Sequence, residues 1–317
     1  MKPALLITRR LPDRVLDAAA RHFAVTLRDS TEPLDAIELR AALKDHDAVL
    51  PTLGDRFDAG VFADSAAPRA RMLANFGVGT NHIDVAAARA AGLEVTNTPG
   101  VVTEATADIA LTLILMTARR AGEGERLLRA GGWRGWEPVQ LLGHSVSGRT
   151  VGIVGMGRIG KAIARRCHAG FGMDVCYHNR SDVPDAGVPA RPVSLLEAMA
   201  ADFVVIAVPG GAATHHLIDA GALAAMAPHG ILVNIARGDV VDEAALIDAL
   251  AARRIAGAGL DVYEREPHVP AALAAMEHVT LLPHLGTATL DVREAMGLMA
   301  LENLRAWAEG RVPPNRV

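Results

Sequence analysis

Thr150-Val151-Gly152-Ile153-Val154-Gly155-Met156-Gly157-Arg158-Ile159-Gly160 decides the fold. An apolar run over 151–154 reads as a strand, breaks into Gly155-x-Gly157-x-x-Gly160, and gives way to a helical pattern through Ala162, Ile163, Ala164 and Phe171. In such a turn the first glycine permits the tight reversal and the second lets the backbone approach a pyrophosphate. The third lets helix and strand pack closely, and the helix N-terminus offers unpaired N–H groups and a positive dipole end to the phosphates. A bare GxGxxG arises by chance in a chain with 30 glycines, but between strand and helix it reads as a dinucleotide site.

The ribose reader comes next. An NAD site places Asp or Glu about 20 residues past the glycines, on the 2′-OH. Here the second strand runs Met173-Asp174-Val175-Cys176-Tyr177-His178 and ends in Asn179-Arg180-Ser181, with Asp174 too early and Asp182 too late. A carboxylate there would repel a 2′-phosphate, whereas Arg180 can bind one with two parallel N–H bonds and Ser181 can donate another. The plainer alternative is a solvated loop arginine. The tip favours NADP(H), with NAD(H) possible.

The 317 residues suit about two domains, and with 50% apolar residues a large core is readily filled. A net charge of −4 without a basic run argues against a nucleic-acid partner. The only cysteines, Cys167 and Cys176, have no metal or CxxC spacing and read as reduced structural thiols of a cytoplasmic protein. The opening Met1-Lys2-Pro3-Ala4-Leu5-Leu6-Ile7-Thr8 is too short an apolar run for a signal peptide and reads as a first strand. The longest apolar helical stretch, 109–118, falls short of a bilayer span, so no membrane is expected.

Short apolar strands at 4–8, 48–51, 72–76, 95–97, 151–154, 175–177, 203–208, 231–235, 257–261 and 279–282 alternate with helical stretches. That alternation predicts an α/β chain of two doubly wound parallel-sheet domains with a cleft between them. Because the glycine turn begins only after residue 150, the α/β structure before it forms a separate domain. A helix over 103–120 is expected to bridge the two, and a last helix over 289–309 ends at Gly310. The expected substrate site lies in the cleft, at the C-terminal strand ends.

Three segments past the glycines place polar residues just beyond a strand: Arg237 in Asn234-Ile235-Ala236-Arg237-Gly238-Asp239, Glu266 after Leu260-Asp261-Val262, and His284 in Pro283-His284-Leu285-Gly286-Thr287. In a doubly wound sheet these ends share one edge, so the three can converge. Hydride arriving at a carbonyl carbon creates an alkoxide, which needs a positive group and a proton donor. Arg237 can hold a substrate carboxylate and polarise the carbonyl. Histidine's ordinary pKa of about 6.5 suits His284 to give the proton, and Glu266 can orient the imidazole and favour its charged form. Taken singly, each has another reading: Arg237 as an ion-pair partner of Asp239, His284 as a capped loop histidine, Glu266 as a solvated residue before Pro267.

With these segments in view the chain resembles the D-isomer-specific 2-hydroxyacid dehydrogenases. The similarity runs through Asn75-Phe76-Gly77-Val78-Gly79-Thr80-Asn81-His82-Ile83-Asp84, Val95-Thr96-Asn97-Thr98-Pro99-Gly100, Glu104-Ala105-Thr106-Ala107-Asp108, the glycine turn, and the Arg237, Asp261 and His284 segments. It implies a flavodoxin-like substrate domain from 1–99 and 287–317 and a Rossmann cofactor domain over 100–286. The family's catalytic Arg, Glu and His fall on Arg237, Glu266 and His284. The resemblance also implies a carboxylate cradle from the backbone amides of Val78 and Gly79, with Leu53, Trp136, Arg237 and His284 beside the substrate. Asp261 would bond the nicotinamide amide, and Thr106, Gly155, Met156, Gly157, Arg158 and Ile159 would line the cofactor. So would Asn179, Arg180, Ser181, Val208, Pro209, Thr214, Ile235, Ala236, His284 and Gly286. Pro209-Gly210-Gly211-Ala212-Ala213-Thr214 departs from the family's usual polar stretch, which leaves the contacts of that loop open.

Within the family the nearest look is to glyoxylate/hydroxypyruvate reductases, through Gly131-Gly132-Trp133-Arg134-Gly135-Trp136-Glu137-Pro138. The resemblance implies a homodimer joined through the cofactor domains, in which the second Trp of such a segment would reach the partner subunit's active site and limit substrate size; alternatively Trp133 and Trp136 merely pack the dimer interface. The implied activity is NAD(P)H-dependent reduction of a small 2-oxo acid to the D-2-hydroxy acid. Larger or sugar-derived 2-oxo acids stay open, as do a phosphoglycerate dehydrogenase and a nucleotide-sensing scaffold. The scaffold is disfavoured by the intact Arg237, Glu266 and His284 and by the absence of an added tail, the phosphoglycerate enzyme by a chain that ends soon after its last helix. No metal is expected: His215-His216 lacks a nearby third ligand and reads as a loop pair, and His46, His82, His168 and His229 read as surface or turn residues.

Overall fold

The computed structural model describes residues 1–64 and 68–317. It forms two compact units, Met1–Val102 with Ala288–Val317, and Thr103–Thr287. The first unit is built on strands β1 (Ala4–Ile7), β2 (Ala24–Leu27), β3 (Ala48–Leu50), β4 (Met72–Ala74) and β5 (Glu94–Thr96), in the order β2-β1-β3-β4-β5 and parallel throughout. Alternate side chains enter opposite cores: Leu5, Ile7 and Met72 pack with the helix Leu290–Ala308, while Leu6, Val49 and Leu73 pack with Leu39 and Leu43. A sheet covered on both faces by helices is what near-continuous apolar strands require. The last helix begins where Thr289 Oγ1 accepts the Val292 N–H at 3.4 Å.

The second unit holds β6 (Thr150–Val154), β7 (Asp174–His178), β8 (Ala190–Pro192), β9 (Phe203–Ile206), β10 (Ile231–Asn234), β11 (Gly257–Leu260) and β12 (Val279–Leu281). Their order is β12-β11-β10-β9-β6-β7-β8, again all parallel. The chain leaves β6 toward β7 on one side and later returns to β9 on the other. That reversal is the point where such sheets bind ligands, just outside the carboxyl ends of the strands. β9 and β10 are buried at every residue, hence their unbroken Phe-Val-Val-Ile and Ile-Leu-Val-Asn runs.

The differences from the sequence reading have local causes. β2 and β8 went unpredicted because both are edge strands, half exposed, and β8 is only three residues long with a proline. The helix expected over 103–120 stops at Ala118, and the chain reverses through Arg120 in the left-handed region (φ 52°) into a second helix, Ala121–Arg129. Arg120 braces that corner with two hydrogen bonds to the Glu123 carboxylate, at 2.9 and 2.7 Å. The first of these helices lies wholly within the second unit. No helix among the described residues is long and apolar enough to cross a membrane.

Candidate active site

The glycine turn has the geometry its spacing demands. Gly155 adopts φ +104°, and a Cβ there would stand 2.7 Å from the Ala207 carbonyl. At Gly160 a Cβ would lie 2.1 Å from the Gly155 oxygen, so helix and strand touch backbone to backbone. Gly157 faces open space, and a Cβ there would meet nothing within 4 Å. Beside it the N–H groups of Gly157, Arg158 and Ile159 donate to no partner among the described residues at the start of the helix Arg158–Phe171. An open approach lined by unpaired donors at a positive helix end fits a pyrophosphate. Met156 is buried instead, its N–H donating to Asn179 Oδ1 at 3.0 Å.

Asn179 thus has a structural task that the sequence did not reveal. Its Oδ1 holds the glycine turn, and its Nδ2 donates to the Ser181 carbonyl at 2.7 Å, which shapes the tip of β7. Arg180 and Ser181 are exposed, and Arg180 enters no ion pair among the described residues. Val208, Pro209 and Thr214 follow β9, where Thr214 Oγ1 donates to the Pro209 carbonyl at 2.7 Å and closes the loop on itself. Thr106 Oγ1 donates to the Gly286 carbonyl at 3.1 Å, and Ile235 and Ala236 are buried at the end of β10.

The structure brings Arg237, Glu266 and His284 to the carboxyl ends of β10, β11 and β12, one edge of one sheet. His284 Nδ1 and Glu266 Oε2 lie 2.8 Å apart. Glu266 Oε1 also accepts the Tyr263 N–H at 3.1 Å, so both carboxylate oxygens are tied. Burial pushes the Glu266 carboxyl up, but the bond from His284, that imidazole's charge, the Tyr263 N–H and Arg237 together hold it below the usual carboxylate range. Arg237 is pushed down from the ordinary guanidinium value by burial, against the pull of Glu266 and Asp239. Its one side-chain hydrogen bond among the described residues runs from Nη1 to the Ala236 carbonyl at 2.7 Å, and it enters no ion pair, with Asp239 or otherwise. A guanidinium so placed keeps most of its donors for an incoming anion.

Two further residues hold this arrangement. Asp261 accepts the Leu285 N–H at 2.6 Å and the Gly286 N–H at 2.8 Å, so one carboxylate fixes the turn that carries His284 (φ 55°). Burial raises the Asp261 carboxyl above its ordinary range, against the two amides and His284, while Glu266 adds to the rise. At Gly238 a Cβ would fall 1.8 Å from the Tyr263 carbonyl carbon, which presses the Arg237 loop directly onto the turn that carries Glu266. The signal for both was present as an Asp after β11 and a Gly after Arg237, but contact across strands is invisible in a linear pattern.

In the first unit, Leu53 and Val78 are exposed and Gly79 is partly so. The Val78 carbonyl accepts from Asn97 Nδ2 at 2.9 Å and the Gly79 carbonyl from Asn75 Nδ2 at 3.0 Å. Their N–H groups donate to no partner among the described residues. Tied carbonyls beside such amides leave N–H donors that an anion could take. Trp133 and Trp136 are exposed, Trp136 at 81%, in a stretch that also exposes Leu128, Val139 and Leu142.

One expectation is corrected. His215-His216 does have a third donor beside it: Glu264, distant in sequence, reaches His216 Nε2 at 3.4 Å because both loops lie at the same sheet edge. The cysteines are free and buried, and burial pushes the Cys167 thiol up to about 12.

Residues 111–286 match the family model for the D-isomer specific 2-hydroxyacid dehydrogenase, NAD binding domain. The fold and this match define a nicotinamide-dinucleotide-binding α/β oxidoreductase. The chain belongs to the D-isomer-specific 2-hydroxyacid dehydrogenase family. It is 44% identical to a glyoxylate reductase of Thermococcus onnurineus, over 100% of this chain and 96% of that protein. The solved NADPH-dependent glyoxylate/hydroxypyruvate reductase of Sinorhizobium meliloti, in complex with NADP and malonate, superposes with a TM-score of 0.88 at 38% identity, covering 100% of this chain and 97% of that one. A solved protein of Thermus thermophilus gives a TM-score of 0.91 at 42% identity over 99% of both chains.

Proposed function

We propose that the chain reduces a small 2-oxo acid of the glyoxylate or hydroxypyruvate type to the D-2-hydroxy acid, with NADPH preferred over NADH. The observation that carries this is the 2.8 Å pair of His284 Nδ1 and Glu266 Oε2 on the same strand-end edge as an Arg237 that has no ion-pair partner among the described residues. The bound nicotinamide supplies the hydride. Arg237 takes the substrate carboxylate in its planar fork and polarises the neighbouring carbonyl. Glu266 accepts the Nδ1–H of His284, which turns Nε2 outward, so Nε2 gives the proton to the nascent alkoxide.

The remaining assignments follow the family pattern. The Val78 and Gly79 amides serve the substrate carboxylate, and 1–99 with 287–317 act as the substrate-binding part, 100–286 as the cofactor-binding part. Asp261 meets the nicotinamide amide with the lone pairs left over from Leu285 and Gly286. For the 2′-phosphate, Arg180 is exposed and enters no ion pair among the described residues, Ser181 stands beside it, and Asn179 brings no repelling charge. The exposed apolar stretch 128–142 supports a homodimer, with Trp136 set against the partner subunit's substrate. Buried free thiols at Cys167 and Cys176 agree with a cytoplasmic location. A steady-state screen of 2-oxo acids with NADPH and NADH tests the reading. The highest kcat/KM should fall on glyoxylate or hydroxypyruvate with NADPH, and a clear preference for a bulky 2-oxo acid would overturn it.

A further inference from the structure

Apart from the residues assigned to catalysis, one cluster brings together ligand types that chelate a transition metal. His215 and His216 follow the loop after β9, and Glu264 stands in the turn after β11. The two imidazoles stack with centroids 4.0 Å apart and planes 26° apart. One donor atom from each of the three residues lies within 4.8 Å of the other two. We propose that His215, His216 and Glu264 form a binding site for a divalent transition ion of the zinc class.

The backbone holds this cluster in place independently of any ion. His216 sits in the left-handed region (φ 49°), a conformation uncommon outside glycine, and its N–H donates to the Asp239 carbonyl at 2.8 Å. Two residues on, Ile218 bridges Val241 in parallel register, which fastens the His pair to the segment after β10. Glu264 is fixed from the other side, its N–H donating to Glu243 Oε1 at 3.2 Å. The three donors are therefore presented from two loops whose backbones are both anchored, so little chain ordering is left to oppose binding.

The donor set decides the ion. Two imidazole nitrogens and one carboxylate oxygen suit Zn²⁺, Co²⁺, Ni²⁺ or Cu²⁺, whereas Mg²⁺ and Ca²⁺ take oxygen ligands. Bonds of about 2.0–2.2 Å imply donor separations somewhat shorter than 4.8 Å, a closure that side-chain rotation supplies at a partly exposed site, with water completing the shell. An ion there would tie the Pro209–Thr214 loop to the turn two residues ahead of Glu266.

The test is equilibrium dialysis of the untagged, chelator-treated full chain against Zn²⁺, with metal content and melting temperature both read. The wild type should hold one Zn²⁺ per chain and melt higher with the ion, because an ion that binds only the folded state stabilises it. His215→Ala, whose side chain is the exposed one, and Glu264→Gln should each weaken binding at least about tenfold, as even a lost supporting group does at metal sites. His229→Ala, at an exposed histidine paired with Asp202, should bind like the wild type. A wild type without stoichiometric Zn²⁺, or His215→Ala and Glu264→Gln proteins that keep it, would overturn the site and leave the dehydrogenase reading untouched.

Discussion

Glu266→Gln isolates what a carboxylate does behind the proton donor. The side chain keeps its size but loses its charge and one acceptor, and both oxygens are in use, one facing His284 Nδ1 at 2.8 Å and one the Tyr263 N–H at 3.1 Å. The Tyr263 amide is a fixed donor, so the glutamine oxygen turns toward it and its NH₂ faces Nδ1, where a second donor opposes the charged ring. A hydrogen bond to a charged group contributes about 1.5–3 kcal/mol and a neutral one about 0.5–1.5, a difference of about 1–1.5 kcal/mol. Because the carboxylate is 34% exposed, solvent takes a share of that difference. The kcat/KM for reduction at neutral pH should then fall by up to about tenfold. Stability gives a second readout. The Glu266 carboxyl is held below its ordinary value in the folded state, so its contribution is present above the unfolded pKa and is lost as pH falls through the folded one. Wild type and variant should therefore differ in urea midpoint at neutral pH and converge in acid. Initial rates of 2-oxo acid reduction at neutral pH read the loss. A lowered urea midpoint with kcat/KM unchanged would show that Glu266 only braces the turn and does not assist the donor.

His284→Ala should lower kcat at least about a hundredfold, the scale of lost general-acid catalysis, while cofactor affinity by fluorescence titration hardly changes. Arg237→Lys keeps the charge and loses the planar fork, so steady-state kinetics should give a higher KM for every 2-oxo acid and a slower kcat. Arg180→Ala should erode the preference for NADPH by roughly tenfold, the worth of one charge-assisted contact, chiefly through the KM for NADPH; an unaltered preference would remove Arg180 from the site. Gly160→Ala places a Cβ 2.1 Å from the Gly155 oxygen, so the helix must lift off the turn. A loss of about 1–3 kcal/mol in urea unfolding should follow, together with weaker binding of NADPH and NADH alike.

What the sequence made legible was local or strictly periodic. The strand–glycine–helix run is contiguous, and apolar runs such as Phe203–Ile206 are long enough to announce buried parallel strands. Arg237, Glu266 and His284 could be placed on one edge because a parallel sheet puts every strand end on the same side. What stayed hidden depended on partners far away in the chain. The edge strand Ala24–Leu27 has an exposed, weakly apolar face, and the corner at Arg120 rests on an ion pair that periodicity does not encode. The third donor beside His215 and His216 was missed for the same reason: nothing within the chain's local pattern brings Glu264 near.

The two least conspicuous residues explain why three side chains from three strands keep one geometry. Their loops are joined by backbone, and side-chain packing alone would be softer. Gly238 lets the Arg237 loop rest on the Tyr263–Glu264 peptide, a contact any other residue would break, since a Cβ would sit 1.8 Å from that carbonyl carbon. Asp261 then joins β11 to β12 by accepting the Leu285 and Gly286 amides, and the His284 N–H closes the same turn onto the Asp261 carbonyl at 2.9 Å. A site that must align hydride acceptor, carboxylate anchor and proton donor loses rate steeply with displacement, because reacting groups need near-attack separations. Short backbone contacts leave little room for such displacement, so the glycine after Arg237 is a positioning residue whose loss should be felt in turnover before it is felt in the affinity for either ligand.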